Sequence, residues 1–304
     1  MAYKPRFESL ELKILGYLNK RIVLSEKDKK HYLSLKKGYE GEVMFDVLTE
    51  KLTCDCLILN DLLLKVNNTL FQIDTLIITA DTIYLFEVKN FEGDYYYELD
   101  RLYKRPKAEY TNPLHQLNRS ASLLRQLLQN LGYNSTIEAR VIFINPEFTL
   151  YQAPLDKPFI HPTQVNSYLR RLDMASSSLT GKHKMLANKL ISLHIEESPY
   201  TLLPPYTYDQ QTKGITCDLC LSFAVTLQGN KCACEDCGHE EMVSSAVLRS
   251  VREYQLLFPG SIITTNTIFD WCKVIGCKKR ISRILGRNYK MVGVHQWSHY
   301  DKEF

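Results

Sequence analysis

The chain has 304 residues, 24% of them charged and 45% hydrophobic, with a net charge of +4. That length accommodates about two domains of ordinary soluble composition, and the mild charge permits nucleic-acid binding without demanding it. No apolar run approaches the ~18 residues of a membrane span, and the opening M-A-Y-K-P-R-F lacks the apolar core of a signal peptide, so a cytoplasmic protein is expected.

Residues 7–35 read as helical, with Leu10, Ile14, Leu15 and Leu18 at helix spacing. The charged run Glu26–Lys30 within them reads as a solvated surface rather than a DNA-contacting arm. Lys36–Leu52 reads as the next helix, with Val43, Phe45, Val47 and Leu48 as its apolar face. Gly38 and Gly41 lie near its start, where each costs roughly 1 kcal/mol against Ala. Close backbone packing is one reason to keep them. Glu42 then lies next to a sheet, or is a first-turn acid favoured by the helix dipole.

Strands follow at Cys56–Lys65, Leu70–Thr79 and up to Asn90, with turns at Val66-Asn67-Asn68 and Ala80-Asp81. Paired asparagines suit a turn with positive φ. The hairpin Phe71–Asn90 is apolar except for Asp74, Glu87 and Lys89, and charges there are costly unless something pairs with them. The two-residue strand period puts Glu87 and Lys89 on one face, and Asp74 reaches it from the preceding strand. Two carboxylates and an ammonium at one sheet edge suit a hard divalent cation such as Mg²⁺ or Mn²⁺. The same residues could form an inter-strand salt bridge. Cys54 and Cys56 read as small strand residues, and Tyr95–Leu99 as a fourth strand of a meander.

Asn112 caps the next helix and Pro113 suits its first position, with Leu114, Leu117, Ala121, Leu124 and Leu128 as its stripe and Gly132 at its end. Gln116 hydrogen-bonds a water or phosphate, or is simply exposed. His115 reads as a surface residue. Glu138–Asn145 is a buried strand; Thr163–Leu172 and Leu179–Ile195 are closing helices, Arg170 and Arg171 facing solvent. The Pro-rich residues 198–214 read as a linker.

Nine cysteines, an odd count in a reducing compartment, argue against a disulfide framework. Cys217, Cys220, Cys234 and Cys237 give the spacing C-x2-C-x13-C-x2-C, in which two tight turns complete a tetrahedron of thiolates on one structural Zn²⁺. This stretch resembles a zinc ribbon. Cys232 with Cys237 is an alternative ligand choice, and His239 a weaker substitute. Beyond it, Val247–Phe258, Thr265 to about Val274 and Lys278–Gly286 read as helices of a helix-turn-helix-like module, with Tyr289–Val294 as a strand or wing. Ile281, Ile284 and Leu285 point inward, leaving Lys278, Lys279, Arg280, Arg283 and Arg287 for nucleic acid or for solvent. Cys272, Cys277, His295 and His299 have no partner set.

The ordered motifs G-Y-E-G-E (Gly38–Glu42), Q-I-D (Gln72–Asp74), E-V-K-N (Glu87–Asn90) and N-P-L-H-Q (Asn112–Gln116) resemble the NERD (nuclease-related domain) family of the PD-(D/E)xK nuclease superfamily, over roughly residues 30–150. The resemblance implies an α/β fold with a restriction-endonuclease-like core, a mixed sheet flanked by helices. It implies Asp74 and Glu87 as Mg²⁺ ligands, Lys89 as catalytic lysine, Glu42 as the helical acid and Gln116 as the polar residue of the following helix. The expected domains are a helical arm over 1–30, the nuclease-like domain over 31–197, the linker over 198–214, the zinc ribbon over 215–243 and a small α-rich, winged-helix-like module over 244–304. The expected function is metal-dependent hydrolysis of phosphodiesters, DNA before RNA; the alternative is a non-catalytic DNA-binding or regulatory protein on the same fold.

Overall fold

A computed structural model describes residues 1–175, 178–293 and 298–301. The chain divides into two compact units, one of Met1–Ser9 with Leu33–Thr201, the other of Leu10–Tyr32 with Leu202–Phe304. Among the described residues, no helix is long and apolar enough to cross a membrane.

Helix α1 (Leu10–Arg21) ends where the sequence reading continues, and α2 (Glu26–Thr49) runs through the boundary expected near residue 35. Ser25 explains the break: its hydroxyl accepts from the Asp28 backbone N–H at 3.1 Å, capping the new helix. Gly38 does not interrupt α2, because nothing forces its backbone out of helical geometry and no neighbour lies within 4 Å of its missing Cβ.

In the first unit, β1 (Leu57–Val66), β2 (Thr69–Ile78) and β3 (Thr82–Lys89) form an antiparallel meander. Asn67 and Asn68 turn β1 into β2 with φ of 47° and 60°, the conformation that paired asparagines favour. The expected fourth strand of the meander goes elsewhere. β4 (Gly93–Glu98), β5 (Arg101–Lys104) and β6 (Ala108–Tyr110) build a separate sheet ordered β6-β5-β4-β8. Gly93 starts that departure in left-handed backbone, at φ 92°. After α3 (Pro113–Asn130), strand β7 (Thr136–Phe143) takes the free edge of β3 in parallel, then β8 (Phe148–Tyr151) joins the small sheet and β9 (Phe159–Ile160) extends the large one to β1-β2-β3-β7-β9. Helices α4 (Pro162–Asp173) and α5 (Gly181–Ser192) complete the unit.

The large sheet is buried on both faces. Leu59, Leu76, Leu85 and Val141 pack with Leu117, Leu124 and Leu128 of α3 and Leu186 and Leu190 of α5. Ile58, Ile77, Phe86 and Ile142 pack with Phe45 of α2 and Val165 and Leu169 of α4. A mixed sheet between two helical layers is therefore the architecture of this unit.

The second unit holds a three-stranded sheet of β10 (Val225–Gln228), β11 (Lys231–Cys234) and β12 (Glu240–Met242), then α6 (Val243–Leu257), α7 (Thr265–Cys272) and α8 (Lys278–Asn288), and a hairpin of β13 (Lys290–Val292) with β14 (His299–Asp301). Val294 of the expected wing, and His295, lie outside the described residues. Helix α1 belongs to this core, its Ile14 and Leu18 packing with Val247, Val251, Ile268 and Leu285. Arg21 at its end is 1% exposed and grips Glu253 with two hydrogen bonds of 2.6 and 2.8 Å. Its guanidinium also lies 4.0 Å from the Trp271 ring centroid. Such a buried pair is tolerable because each guanidinium nitrogen finds an acceptor, Nη1 at the Thr212 carbonyl and Nη2 also at the Gly214 carbonyl; breaking it by removing one partner costs about 3–5 kcal/mol.

Candidate functional site

The carboxylates and the lysine of the first unit meet at the end of β3. Val88 N–H donates to Asp74 Oδ2 at 2.8 Å across the β2–β3 pair, fixing a carboxylate that is 4% exposed. Glu87, 1% exposed, faces the same place, and Lys89 Nζ pairs with its Oε1 at 2.6 Å. Lys89 Nζ donates to Gln116 Oε1 at 3.0 Å, so α3 reaches the site through its first turn. The Asn112 side chain starts that turn by accepting from Leu114 N–H, which sets Gln116 in place.

Glu42 comes from α2. Its helix sits close because Gly41 has no side chain: a Cβ there would meet Asn90 Cβ at 2.4 Å. Asn90 in turn donates to the Lys37 carbonyl at 2.8 Å and accepts from Asn145 at 2.9 Å, locking the residue after Lys89 to α2 and to the end of β7. The second glycine of the G-Y-E-G-E motif thus serves close approach, and the first does not.

Sequence reasoning missed Arg6. Its guanidinium pairs with Glu42, donates to Asp46 Oδ2 at 2.9 Å and to the Asp74 carbonyl at 2.6 Å. Nothing in its local sequence marks it, because its partners lie 36 to 68 residues away.

Burial and then the neighbouring Asp74 charge push the carboxyls of Glu42 and Glu87 up to about 8. Burial likewise raises Asp74, against the pull of Lys89. Burial works against the Lys89 ammonium, but Glu87 and Asp74 outweigh it and hold its pKa above the ordinary lysine value. Gln116 also lines a cleft of about 410 Å³ with His115, Arg119 and Gln72; Asn90 and Lys37 line another of about 800 Å³.

In the second unit, the sulfurs of Cys217, Cys220, Cys234 and Cys237 lie within 4.8 Å of one another. The Cys217–Cys237 and Cys220–Cys234 contacts of 3.6 and 3.5 Å approach the roughly 3.8 Å edge of a zinc–thiolate tetrahedron. Cys217 is pulled down to about 7: burial opposes this, but backbone N–H groups of Cys220 and Leu219 prevail. Cys232 stays outside the cluster, buried and pushed up to about 11, and His239 contributes no ligand atom to it. Four cysteines here could hold a structural zinc. No other group of three or more His, Cys, Asp or Glu among the described residues is gathered so tightly, the acids around Lys89 included.

The basic residues of α8 divide. Arg280 is engaged, donating to the Gly229 carbonyl at 2.9 Å and to Asn230 Oδ1 at 3.0 Å in the β10–β11 turn. Lys278 donates to Asn266 Oδ1 at 2.8 Å. Lys279, Arg283 and Arg287, four residues apart, are exposed along one side of the helix. Cys272 is buried and Cys277 exposed, both apart from the four-cysteine cluster.

The family model of the nuclease-related domain (NERD) matches residues 37–144. No curated protein and no solved structure matches the chain.

Proposed function

We propose that the nuclease-related domain at residues 37–144 makes this chain a metal-dependent nuclease, hydrolysing phosphodiester bonds of nucleic acid, with DNA as the first substrate to test. The observation that carries the reading is the convergence of Asp74, Glu87 and Gln116 on Lys89. Asp74 and Glu87 are the ligands for Mg²⁺ or Mn²⁺. Their chemistry fits: both are hard oxygen donors in a buried cluster that holds more acids than cations. The bound cation would supply a polarised phosphate and a more acidic water.

The chain's own groups do the rest. Lys89 is held as a cation by Glu87 and Asp74, which supports a role in stabilising charge on the phosphate rather than in removing a proton. Gln116, bonded to Lys89 and facing a cleft, would orient the ammonium and the substrate. Glu42 completes the acidic shell. In the second unit a structural zinc holds the ribbon, and the three helices with their following hairpin act as a winged-helix-like module. Lys279, Arg283 and Arg287 would contact phosphates there. A reducing, cytoplasmic setting suits nine cysteines without a disulfide among them.

One observation favours the alternative of a non-catalytic DNA-binding protein: Lys89 and Glu87 already satisfy each other as an ion pair. Cleavage of supercoiled, linear and single-stranded DNA with Mg²⁺ or Mn²⁺, beside EDTA and Lys89→Ala, decides between them. Removing Lys89 is expected to lower the rate by about 10²-fold or more while leaving DNA affinity unchanged. Cleavage that persists in the variant rejects the site. Binding without any cutting moves the protein to the alternative.

A further inference from the structure

We propose that Arg6 is a positioning residue of this site, fixing the Glu42 carboxylate where the reaction needs it. The inference rests on the nuclease reading above and extends it to a segment expected to be a helical arm. Residues 2–8 are extended instead, with Ala2, Lys4, Arg6 and Glu8 half-buried and Tyr3, Pro5 and Phe7 exposed. Tyr3 N–H donates to the Ile58 carbonyl at 2.8 Å and Asn60 N–H to the Lys4 carbonyl at 2.9 Å, so the segment runs along β1. Lys4 Nζ clamps it there, donating at 2.8 Å to each of the carbonyls of Asn60 and Asp61.

This clamp delivers Arg6 to the site. Its side chain is 3% exposed, so it cannot touch a substrate and acts through its neighbours. The planar guanidinium meets Glu42 with one nitrogen, Asp46 with another, and the Asp74 carbonyl with a third. No other side chain offers three charged donors in one plane, so the arrangement is specific to arginine. Asp74 and Glu42 repel each other. Arg6 offsets that repulsion. Without it Glu42 would swing or take a proton, and the acidic shell would lose a member.

The test is a double-mutant cycle on the full chain with Arg6→Ala, Glu42→Ala and both, read by Mn²⁺ calorimetry, single-turnover cleavage and thermal melting. Arg6→Ala is expected to weaken Mn²⁺ binding at least ~5-fold and slow cleavage at least ~10-fold, with DNA affinity within ~2-fold. In the Glu42→Ala background the same change should move both by less than ~2-fold. Equal losses in the two backgrounds, or DNA affinity falling in step, overturn the proposal and leave Arg6 as fold support. Arg6→Lys keeps the charge but only part of the fork, and should retain the melting temperature and Mn²⁺ affinity to within ~3-fold. It also replaces Arg6→Ala in the cycle if the alanine variant does not fold, a smaller loss vanishing in the Glu42→Ala background being the supporting result. Wild type that binds Mn²⁺ but cuts nothing refutes the nuclease reading alone, and the Mn²⁺ cycle still decides on Arg6. Wild type that binds no Mn²⁺ overturns both.

Discussion

Around Lys89 the acids outnumber the cations: among the described residues, Glu42, Asp46, Asp74 and Glu87 share Lys89 and Arg6. Burial and mutual repulsion answer that imbalance by raising Glu42 and Glu87 to about 8. The folded state therefore holds protons that the unfolded chain has already lost above the ordinary glutamate range. Stability from this source is complete at low pH and declines as pH rises through the folded values. Melting of the metal-free protein should accordingly occur at lower temperature at about pH 9 than at about pH 6, while Mn²⁺ affinity rises over the same interval because the cation displaces those protons. Calorimetry in buffers of different ionisation enthalpy would register the released protons, and pH-independent affinity would contradict the assignment. Asp74, Glu87 and Lys89 were legible in the sequence because charge inside an apolar hairpin is anomalous and strand period alone aligns Glu87 with Lys89. Arg6 was not, because a lone arginine gains meaning only from carboxylates that the fold brings to it.

Periodicity and caps made most elements readable. Asn112-Pro113 marked the start of α3 and Gly132, at φ 79°, its end. The failures have local causes. S-E-K-D at Ser25–Asp28 is a capping sequence, and reading it as plain charge merged α1 with the start of α2. Tyr95–Glu98 has strand composition, but composition does not say which sheet a strand joins. That was decided by β7, which lies 54 residues along the chain from the β3 edge it pairs with throughout. The four-cysteine spacing succeeded because metal ligation restricts it tightly. Two arginines tie the resulting ribbon to the helices that follow: Arg249 donates to the Thr216 carbonyl at 2.7 Å and pairs with Asp218 at 3.1 Å beside Cys217, and Arg280 holds the β10–β11 turn. Purified protein is expected to contain one zinc per chain, and a chelator should lower the melting temperature of the second unit by loosening these anchors. Elemental analysis without zinc, or a chelator-insensitive melt, would refute the zinc site.

At the level of the whole molecule, the nuclease-related match covers part of one unit and none of the other, so the two can be perturbed separately. If Lys279, Arg283 and Arg287 each meet a phosphate, replacing all three by alanine should reduce the salt slope of duplex binding by about 2.7, at roughly 0.9 per contact. Lys89→Ala should leave that slope unchanged. Fluorescence anisotropy across a salt series makes the comparison, and an unaltered slope in the triple variant would remove α8 from the interface.

The order in which the chain is synthesised gives α1 an unusual history. Met1–Ser9 belong with residues that are complete once Thr201 has emerged, yet the next helix belongs with later ones. Arg21 finds Glu253 across 232 residues, and Ile14 and Leu18 have no core until α6 and α8 exist. A nascent chain thus carries an amphipathic helix with its apolar side uncovered throughout the making of the first unit, an open invitation to chaperones. An expression fragment ending at residue 201 would keep that side exposed permanently. The first unit is better produced without α1, with Met1–Ser9 joined to α2 by a short polar linker so that Arg6 still reaches Glu42.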